Sequence, residues 1–260
     1  MGKLNNKSAV ITGGGSGIGR ACALKLSEEG ARVMIGDIRP ELAEETATIV
    51  KSAGGEAGYI HCDVGNEENV DTMTSKTIDE LGGLDILVSN AGTATAGGIH
   101  ETSLGDWERV IRIQLTGTFL CARAALRHMI NHGGGNIITI GSVSSVVIGA
   151  GGSAASYKAA KGGILQFTRA IATEYAHKGI RANCVCPGAV ATSLGKHIQE
   201  ESVNWSSEIK DEVRSYKFDV PMMRVADPIE VAHVVAFLAS DESSFMTGSA
   251  VMVDGGYTAI

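Results

Sequence analysis

Short apolar runs alternate with longer amphipathic stretches along most of the chain. The apolar runs have the length of β-strands and lie at 8–12, 31–37, 57–62, 84–89, 135–141, 180–186 and 249–253. The amphipathic stretches predict helices near 18–30, 40–54, 67–82, 103–132, 155–178 and 228–240. Near-continuous apolar strands separated by helices are typical of a parallel sheet that is covered on both faces. The pattern therefore predicts an α/β fold.

Residues 193–219 interrupt this alternation with a polar and charged segment. The segment follows the sixth predicted strand, so it starts at the edge of the sheet where parallel α/β proteins bind ligands. We expect it to form a lid over the substrate site, with a plain surface excursion as the alternative.

Composition narrows the class of protein. With 260 residues, of which 44% are hydrophobic, the chain can bury a full core as one domain, residues 1–260. The net charge of −7 argues against a nucleic-acid partner. Because we find no signal-peptide pattern and no apolar run of about 18 residues, we expect no membrane partner and a cytoplasmic location.

Cysteine and histidine spacing predicts no metal site. The five cysteines contain no Cys-x-x-Cys pair, and their odd number favours reduced core residues over disulfides. The seven histidines are scattered without the spacing of metal ligands.

A glycine-rich turn, residues 12–19, follows the first predicted strand and opens the first predicted helix. It is not a Walker loop, because Arg20 and Ala21 stand where Lys and Ser or Thr would be needed. Glycines let the backbone approach phosphates, and a helix N-terminus supplies N–H donors and positive potential. A flexible glycine loop is the alternative interpretation. The residues of this turn that we predict to bind a dinucleotide are Gly13, Ser16, Gly17, Ile18 and Gly19.

Asp37 ends the second predicted strand, 18 residues after Gly19. A carboxylate at this position is placed to accept both hydrogen bonds from an adenosine ribose, and its charge would repel a 2′-phosphate. Ile38 offers no basic replacement, although Arg39 slightly weakens the preference. The sequence therefore favours NAD over NADP.

Tyr157 and Lys161 are four residues apart and lie on one face of a predicted helix. A phenol with a pKa near 10 is a poor base at neutral pH, and a nearby ammonium lowers that pKa. The pair can therefore act as a general acid and base. Such spacing also occurs by chance on solvated helices, but the glycine-rich turn upstream supports the catalytic interpretation.

The glycine turn, Asp37, Tyr157 and Lys161 together resemble the short-chain dehydrogenase/reductase family, in its branch of roughly 250 residues. The resemblance extends over essentially the whole chain. It implies that an Asp-Val pair holds adenine, that an Asn-Ala-Gly run lies beside the sheet, and that a Pro-Gly loop fixes the nicotinamide carboxamide. The residues that would bind the cofactor in these ways are Asp63, Val64, Asn90, Ala91, Gly92, Pro187, Gly188, Val190 and Thr192.

The resemblance also assigns the catalytic group. Ser142 would position the substrate oxygen, Tyr157 would take the hydroxyl proton, and Lys161 would lower the pKa of Tyr157 and bind the nicotinamide ribose. Gln114 stands where the family usually has Asn, and its backbone carbonyl would order a relay water. Ser142 precedes Tyr157 by 15 residues, about two more than we expect, so Ser144 is a less favoured alternative.

These features predict a single doubly wound Rossmann domain with a seven-stranded parallel sheet in the order 3-2-1-4-5-6-7. NAD would lie in the crevice between strands 1 and 4. The expected reaction is the reversible oxidation of a secondary alcohol to a ketone. Family resemblance further implies a homotetramer that packs through the helices at 103–132 and 155–178.

The substrate should be apolar, alicyclic or aromatic. The pocket residues that we expect are Val143, Val146, Val147, Ile148, Leu194, Ile198, Val203 and Trp205. Two other functions stay open at this stage. One is an NADPH-dependent ketoacyl reductase with a carrier protein as partner, and the other is a regulator that binds a dinucleotide without catalysis.

Overall fold

Seven parallel strands form the centre of the structure. The computed structural model describes residues 2–95, 98–148, 155–192 and 220–260. The strand order β3-β2-β1-β4-β5-β6-β7 confirms the predicted topology. The strands are β1 (Ser8–Thr12), β2 (Arg32–Asp37), β3 (Ala57–His61), β4 (Ile86–Ser89), β5 (Gly135–Ile140), β6 (Ile180–Pro187) and β7 (Ala250–Val253).

Helices cover both faces of this sheet. They are α1 (Gly17–Glu28), α2 (Pro40–Ser52), α3 (Glu67–Leu81), α4 (Leu104–Ile111), α5 (Gly117–Met129), α6 (Ala155–Tyr175) and α7 (Pro228–Ala239). Successive residues of β1 point to opposite faces, so Ala9 and Ile11 pack with α1, α2 and α7 while Val10 packs with α3 and α5. Burial on both faces explains why the strands are nearly continuous apolar runs.

The predicted helix at 103–132 is interrupted in the structure. A π-helix, Arg112–Thr116, separates α4 from α5. A π-turn adds a residue to one helical turn without changing the amphipathic pattern on either side, so periodicity did not reveal it. The predicted helix at 155–178 is also shorter in the structure. It ends as α6 at Tyr175, and a short 3₁₀ turn, Ala176–Lys178, follows. The observed strand bounds lie within two residues of the predicted ones.

Other predictions fall partly outside the described residues. The predicted lid, residues 193–219, lies outside them entirely. Within the described ranges, no helix is both long enough and apolar enough to cross a bilayer. All five cysteines are buried and free of disulfides.

Hydrogen bonds connect the ends of β1 and β4, where the strand order reverses. The hydroxyl oxygen of Thr12, which is buried, accepts hydrogen bonds from the backbone amides of Asn90 and Ala91 at 3.0 and 3.1 Å. The Asn90 side-chain amide donates in return to the carbonyl oxygens of Thr12 and Gly13 at 2.9 and 3.1 Å. These four bonds fix the two strand ends that flank the predicted cofactor crevice.

Removing the Thr12 hydroxyl should destabilise the fold. Thr12→Val keeps the shape of the side chain but leaves two amides without an acceptor, so the free energy of unfolding should fall by about 1–3 kcal/mol. Thr12→Ser keeps the acceptor and should stay closer to the wild type. Urea unfolding followed by circular dichroism measures both variants, and equal stability of Thr12→Val and wild type would contradict this interpretation.

Candidate active site

The glycine turn between β1 and α1 has the geometry of an anion site. Gly13 and Gly17 adopt positive φ angles of 61° and 52°, which other residues rarely take. A Cβ atom on Gly19 would collide with the carbonyl oxygen of Gly13, so the turn is packed tightly. Ser16 caps α1 without a side-chain hydrogen bond to the helix, and the first turn contains no acidic residue. The helix N-terminus therefore keeps its positive potential and fits a phosphate group.

Asp37 lies at the rim of this turn and is held in one orientation. One carboxylate oxygen accepts from the Gly15 amide at 2.9 Å, and the other accepts from the Arg39 amide at 3.0 Å. The side chain is only 5% exposed. An ionised carboxylate has about four acceptor positions, so two remain for a ligand. The guanidinium of Arg39 lies 3.9 Å from Asp37 and donates to the Ser16 hydroxyl at 3.4 Å.

The other predicted cofactor residues lie at the same edge of the sheet. They lie at the carboxyl ends of β3, β4 and β6, where Pro187 is the last residue of β6 and the others are in the loops that follow these strands. A Cβ atom on Gly17 would lie 3.2 Å from the Thr192 methyl carbon, so the segment after β6 reaches the glycine turn. The Gly188 amide donates to the Val253 carbonyl at 3.0 Å, which fixes the start of that segment.

Ser142 and Tyr157 meet at the end of β5. Ser142 is buried, and its side chain accepts from the Ser144 amide at 3.1 Å. Burial raises the pKa of Tyr157, and the hydrogen-bonding effect of the Ser142 side chain lowers it. Ser142, the favoured residue of the sequence analysis, therefore lies within reach of the phenol.

Lys161 lies one helical turn after Tyr157 and is 5% exposed. Its ammonium nitrogen donates to the Ile140 carbonyl at 2.7 Å and lies 5.5 Å from the centre of the Tyr157 ring. Burial lowers the pKa of Lys161 to about 8. The structure therefore brings the three predicted catalytic side chains of β5 and α6 together.

Gln114 occupies the middle of the π-helix and is 1% exposed. Its side-chain amide donates to the Thr93 carbonyl, which ties the π-helix to the loop after β4. Among the residues that the structure describes, its side-chain oxygen has no hydrogen-bond partner, and a Cβ atom on Gly92 would lie 3.2 Å from it. The Gln114 backbone carbonyl, which we predicted to hold a relay water, accepts from the Thr118 hydroxyl at 2.6 Å. The role of Gln114 in a proton relay stays a prediction.

Sequence reasoning missed two arginines that support these loops. Arg20 donates to the Gly15 carbonyl and the Thr46 hydroxyl, both at 3.0 Å, and so attaches the glycine turn to α2. Arg112 donates to Asp63 at 2.9 Å. Thr46 lies 26 residues from Arg20 and Asp63 lies 49 residues from Arg112, and no local pattern signals contacts at that separation.

The apolar loop after β5 supplies the described part of the predicted substrate pocket. Val143 is buried, whereas Val146 and Ile148 are 45% and 73% exposed. Val147 lies between them and is half-buried, and the other four predicted pocket residues lie in 193–219, outside the described ranges.

Several known proteins are similar to this chain over nearly its whole length. A family model described as enoyl-(acyl carrier protein) reductase matches residues 13–258. The chain is 42% identical over 253 residues to cis-4-hydroxycyclohexanecarboxylate dehydrogenase of Sinomonas cyclohexanicum, covering 97% of this chain and 96% of that protein. It is 38% identical over 257 residues to meso-2,3-butanediol dehydrogenase of Serratia marcescens, covering 99% and 96%. A solved short-chain type dehydrogenase/reductase from Mycobacterium marinum has a TM-score of 0.91 at 34% identity, covering 99% of this chain and 98% of that chain.

The burial of Lys161 should make the cofactor-free protein less stable near neutral pH. The pKa of Lys161 is about 8 in the folded protein against 10.5 for an exposed lysine. Below pH 8 the folded state therefore carries a costly buried charge, and this cost fades as the pH rises towards 10.5 because the folded state releases its proton first.

Lys161→Met should consequently raise the free energy of unfolding at pH 7 by about 1–3 kcal/mol, with a smaller gain at pH 10. Chemical denaturation at both pH values measures this difference. Lys158→Met, on the less buried side of the same helix, is the control. A loss of stability at pH 7, or an equal gain at both pH values, would show that the charge of Lys161 costs nothing.

Proposed function

The chain belongs to the short-chain dehydrogenase/reductase family, and we propose that it interconverts a secondary alcohol and its ketone with NAD. Members of this family are oxidoreductases that use nicotinamide dinucleotides, and the named relatives are dehydrogenases of alcohols. The observation that carries the proposal is the proximity of Ser142, Tyr157 and Lys161. These three side chains lie at the edge of the sheet where the glycine turn also lies.

The residues present fit the dinucleotide. The amides at the start of α1 would hold the pyrophosphate, because the tight turn leaves the helix N-terminus open to an anion. Asp37 would accept hydrogen bonds from the adenosine ribose with its free acceptor positions. Asp63 and Val64 would contact the adenine. When bound, the nicotinamide supplies the hydride acceptor for alcohol oxidation.

The chain's own contribution to the reaction is proton transfer and orientation. Ser142 would donate a hydrogen bond to the substrate oxygen, and Tyr157 would take the hydroxyl proton as the carbon–hydrogen bond breaks. Because burial raises the pKa of Tyr157, the phenolate needs a nearby positive charge. Lys161 provides that charge at neutral pH, since its pKa of about 8 still favours the ammonium.

We further propose an apolar cyclic secondary alcohol as the substrate. The loop after β5, which we predict to line the substrate pocket, carries aliphatic side chains, among them Val143 and Val146. The Sinomonas relative is named for a hydroxycyclohexane substrate, which is a cyclic secondary alcohol. A cyclohexanol ring would present its carbinol carbon to the nicotinamide while its methylene groups pack on the valines.

The proposal includes a homotetramer in the cytoplasm. Apolar side chains on α4 and α5 stay open to solvent in the single chain, with Leu104 71%, Trp107 38% and Phe119 41% exposed. Burial of these side chains against a second copy would remove their cost in water. Light scattering should therefore give four times the 26.9 kDa chain mass.

Loss of the Tyr157 hydroxyl should remove most activity. Tyr157→Phe keeps the ring but deletes the proton acceptor, so turnover should fall by about 10²–10⁴-fold. Tyr175→Phe removes a hydroxyl from the far end of the same helix and should leave turnover within about two-fold of wild type. Steady-state NADH formation measures both variants, and a Tyr157→Phe enzyme with near wild-type turnover would refute the mechanism.

Asp37 should set the cofactor preference. We expect kcat/KM with NAD to exceed that with NADP by at least about ten-fold, because a 2′-phosphate would face a buried carboxylate. Asp37→Ala should lower the ratio of kcat/KM with NAD to kcat/KM with NADP, chiefly because kcat/KM with NAD falls. Initial rates with both cofactors test this, and equal use of the two by the wild type would refute the assignment of Asp37.

A further inference from the structure

Arg112 connects the loop after β3 to the π-helix. It is the first residue of the π-helix, and its guanidinium donates to one carboxylate oxygen of Asp63 at 2.9 Å. The other oxygen accepts from the Gly65 amide at 2.9 Å. Both oxygens of Asp63 are therefore held by donors, and neither donor belongs to the glycine turn.

Two glycines allow the loop and the π-helix to approach this closely. A Cβ atom on Gly65 would collide with the guanidinium of Arg112. A Cβ atom on Gly117, just after the π-helix, would lie 2.7 Å from a methyl carbon of Val64. The loop 63–65 is therefore packed against both ends of the π-helix, through Gly65 on Arg112 and Val64 on Gly117. A shift of the loop would disturb at least one of these two contacts.

The charge of Arg112 also acts on the carboxylate. Partial burial raises the pKa of Asp63, but the hydrogen bonds from Arg112 and the Gly65 amide outweigh this effect and leave the pKa below its usual value. Asp63 is therefore an ionised acceptor at neutral pH. With one donor on each oxygen, it retains acceptor positions for an exocyclic amino group.

We propose that Arg112 is a positioning residue for adenine recognition. It orients the Asp63 carboxylate towards the 6-amino group of adenine and fixes the loop 63–65 against the π-helix, without touching substrate or the reacting atoms. This inference rests on the proposed function, in which Asp63 and Val64 hold the adenine of NAD.

The test compares NAD with nicotinamide hypoxanthine dinucleotide, in which a carbonyl oxygen replaces the 6-amino group. A carboxylate that accepts from this amino group would repel the carbonyl oxygen, so the wild type should bind the hypoxanthine analogue at least about ten-fold more weakly. Calorimetric titration of the cofactor-free protein measures both dissociation constants and needs no alcohol substrate.

Arg112→Met keeps the length of the side chain but removes its charge and donors. NAD should then bind about ten-fold more weakly, and the ratio of the two dissociation constants should fall towards one. Arg112→Lys should recover part of the ratio, because it restores a cation without the planar fork. Adding Arg112→Met to an Asp63→Asn variant should change the ratio little, because the two residues act as one unit.

Arg127→Met is the matched control. Arg127 lies further along the same helical path in α5 and pairs loosely with Asp71 of α3 at 3.8 Å. It removes an arginine from the same surface without contacting the loop 63–65, so both dissociation constants should stay within about two-fold of wild type.

The outcomes separate the inference from the function on which it rests. A wild type that binds no NAD would overturn both. Suppose instead that the wild type distinguishes the two dinucleotides, and that Arg112→Met and Arg112→Lys keep its full ratio of dissociation constants. That result would overturn only the role of Arg112. Weaker NAD binding by Arg112→Met with an unchanged ratio would also overturn it, because general loss of structure affects both dinucleotides equally.

Discussion

The parallel direction of the strands is the constraint on which the rest of the structure depends. Because the strands are parallel, the loops after β1 to β6 all leave the sheet at one edge, and the order reversal at β1 and β4 opens a crevice there. The hydrogen bonds between Thr12 and Asn90 hold that crevice at a fixed width. These strand ends position the glycine turn, Asp37, Ser142 and Tyr157, and bring them to the same edge of the sheet.

Burial then determines the electrostatics of the site. It raises the pKa of Tyr157 and lowers the pKa of Lys161, so in the cofactor-free protein it works against the charged form of both groups. The proposed reaction needs the opposite, a phenolate beside an ammonium. The hydrogen bond from Ser142 and the proximity of Lys161 favour that charged pair, and the low local dielectric strengthens their mutual attraction. In the proposed mechanism, the same burial that costs stability would make the pair effective in proton transfer.

Sequence patterns predicted the features that depend on residues close together in the chain. The strands were visible because residues such as Val10 and Ile11 are buried on opposite faces, which leaves uninterrupted apolar runs. The amphipathic pattern did not reveal the π-helix, because the pattern continues through it. The pairing of Arg112 with Asp63 was missed for a different reason, since it joins residues 49 positions apart and no local pattern marks Arg112 as a partner of Asp63. The spacing to Tyr157 left Ser142 and Ser144 as candidates for the catalytic serine. Ser142 is the one that acts on the pKa of Tyr157, and its catalytic role stays a prediction.

The central claim is that the site at the carboxyl edge of the sheet oxidises secondary alcohols with NAD. The most direct measurement is the formation of NADH when the wild-type protein meets NAD and a panel of cyclic secondary alcohols, with reduction of an enoyl thioester by NADH measured in parallel. We expect NADH to accumulate with at least one alcohol and the product to be the corresponding ketone. Reduction of the enoyl thioester without oxidation of any alcohol, as the description of the matching family model would suggest, would contradict it.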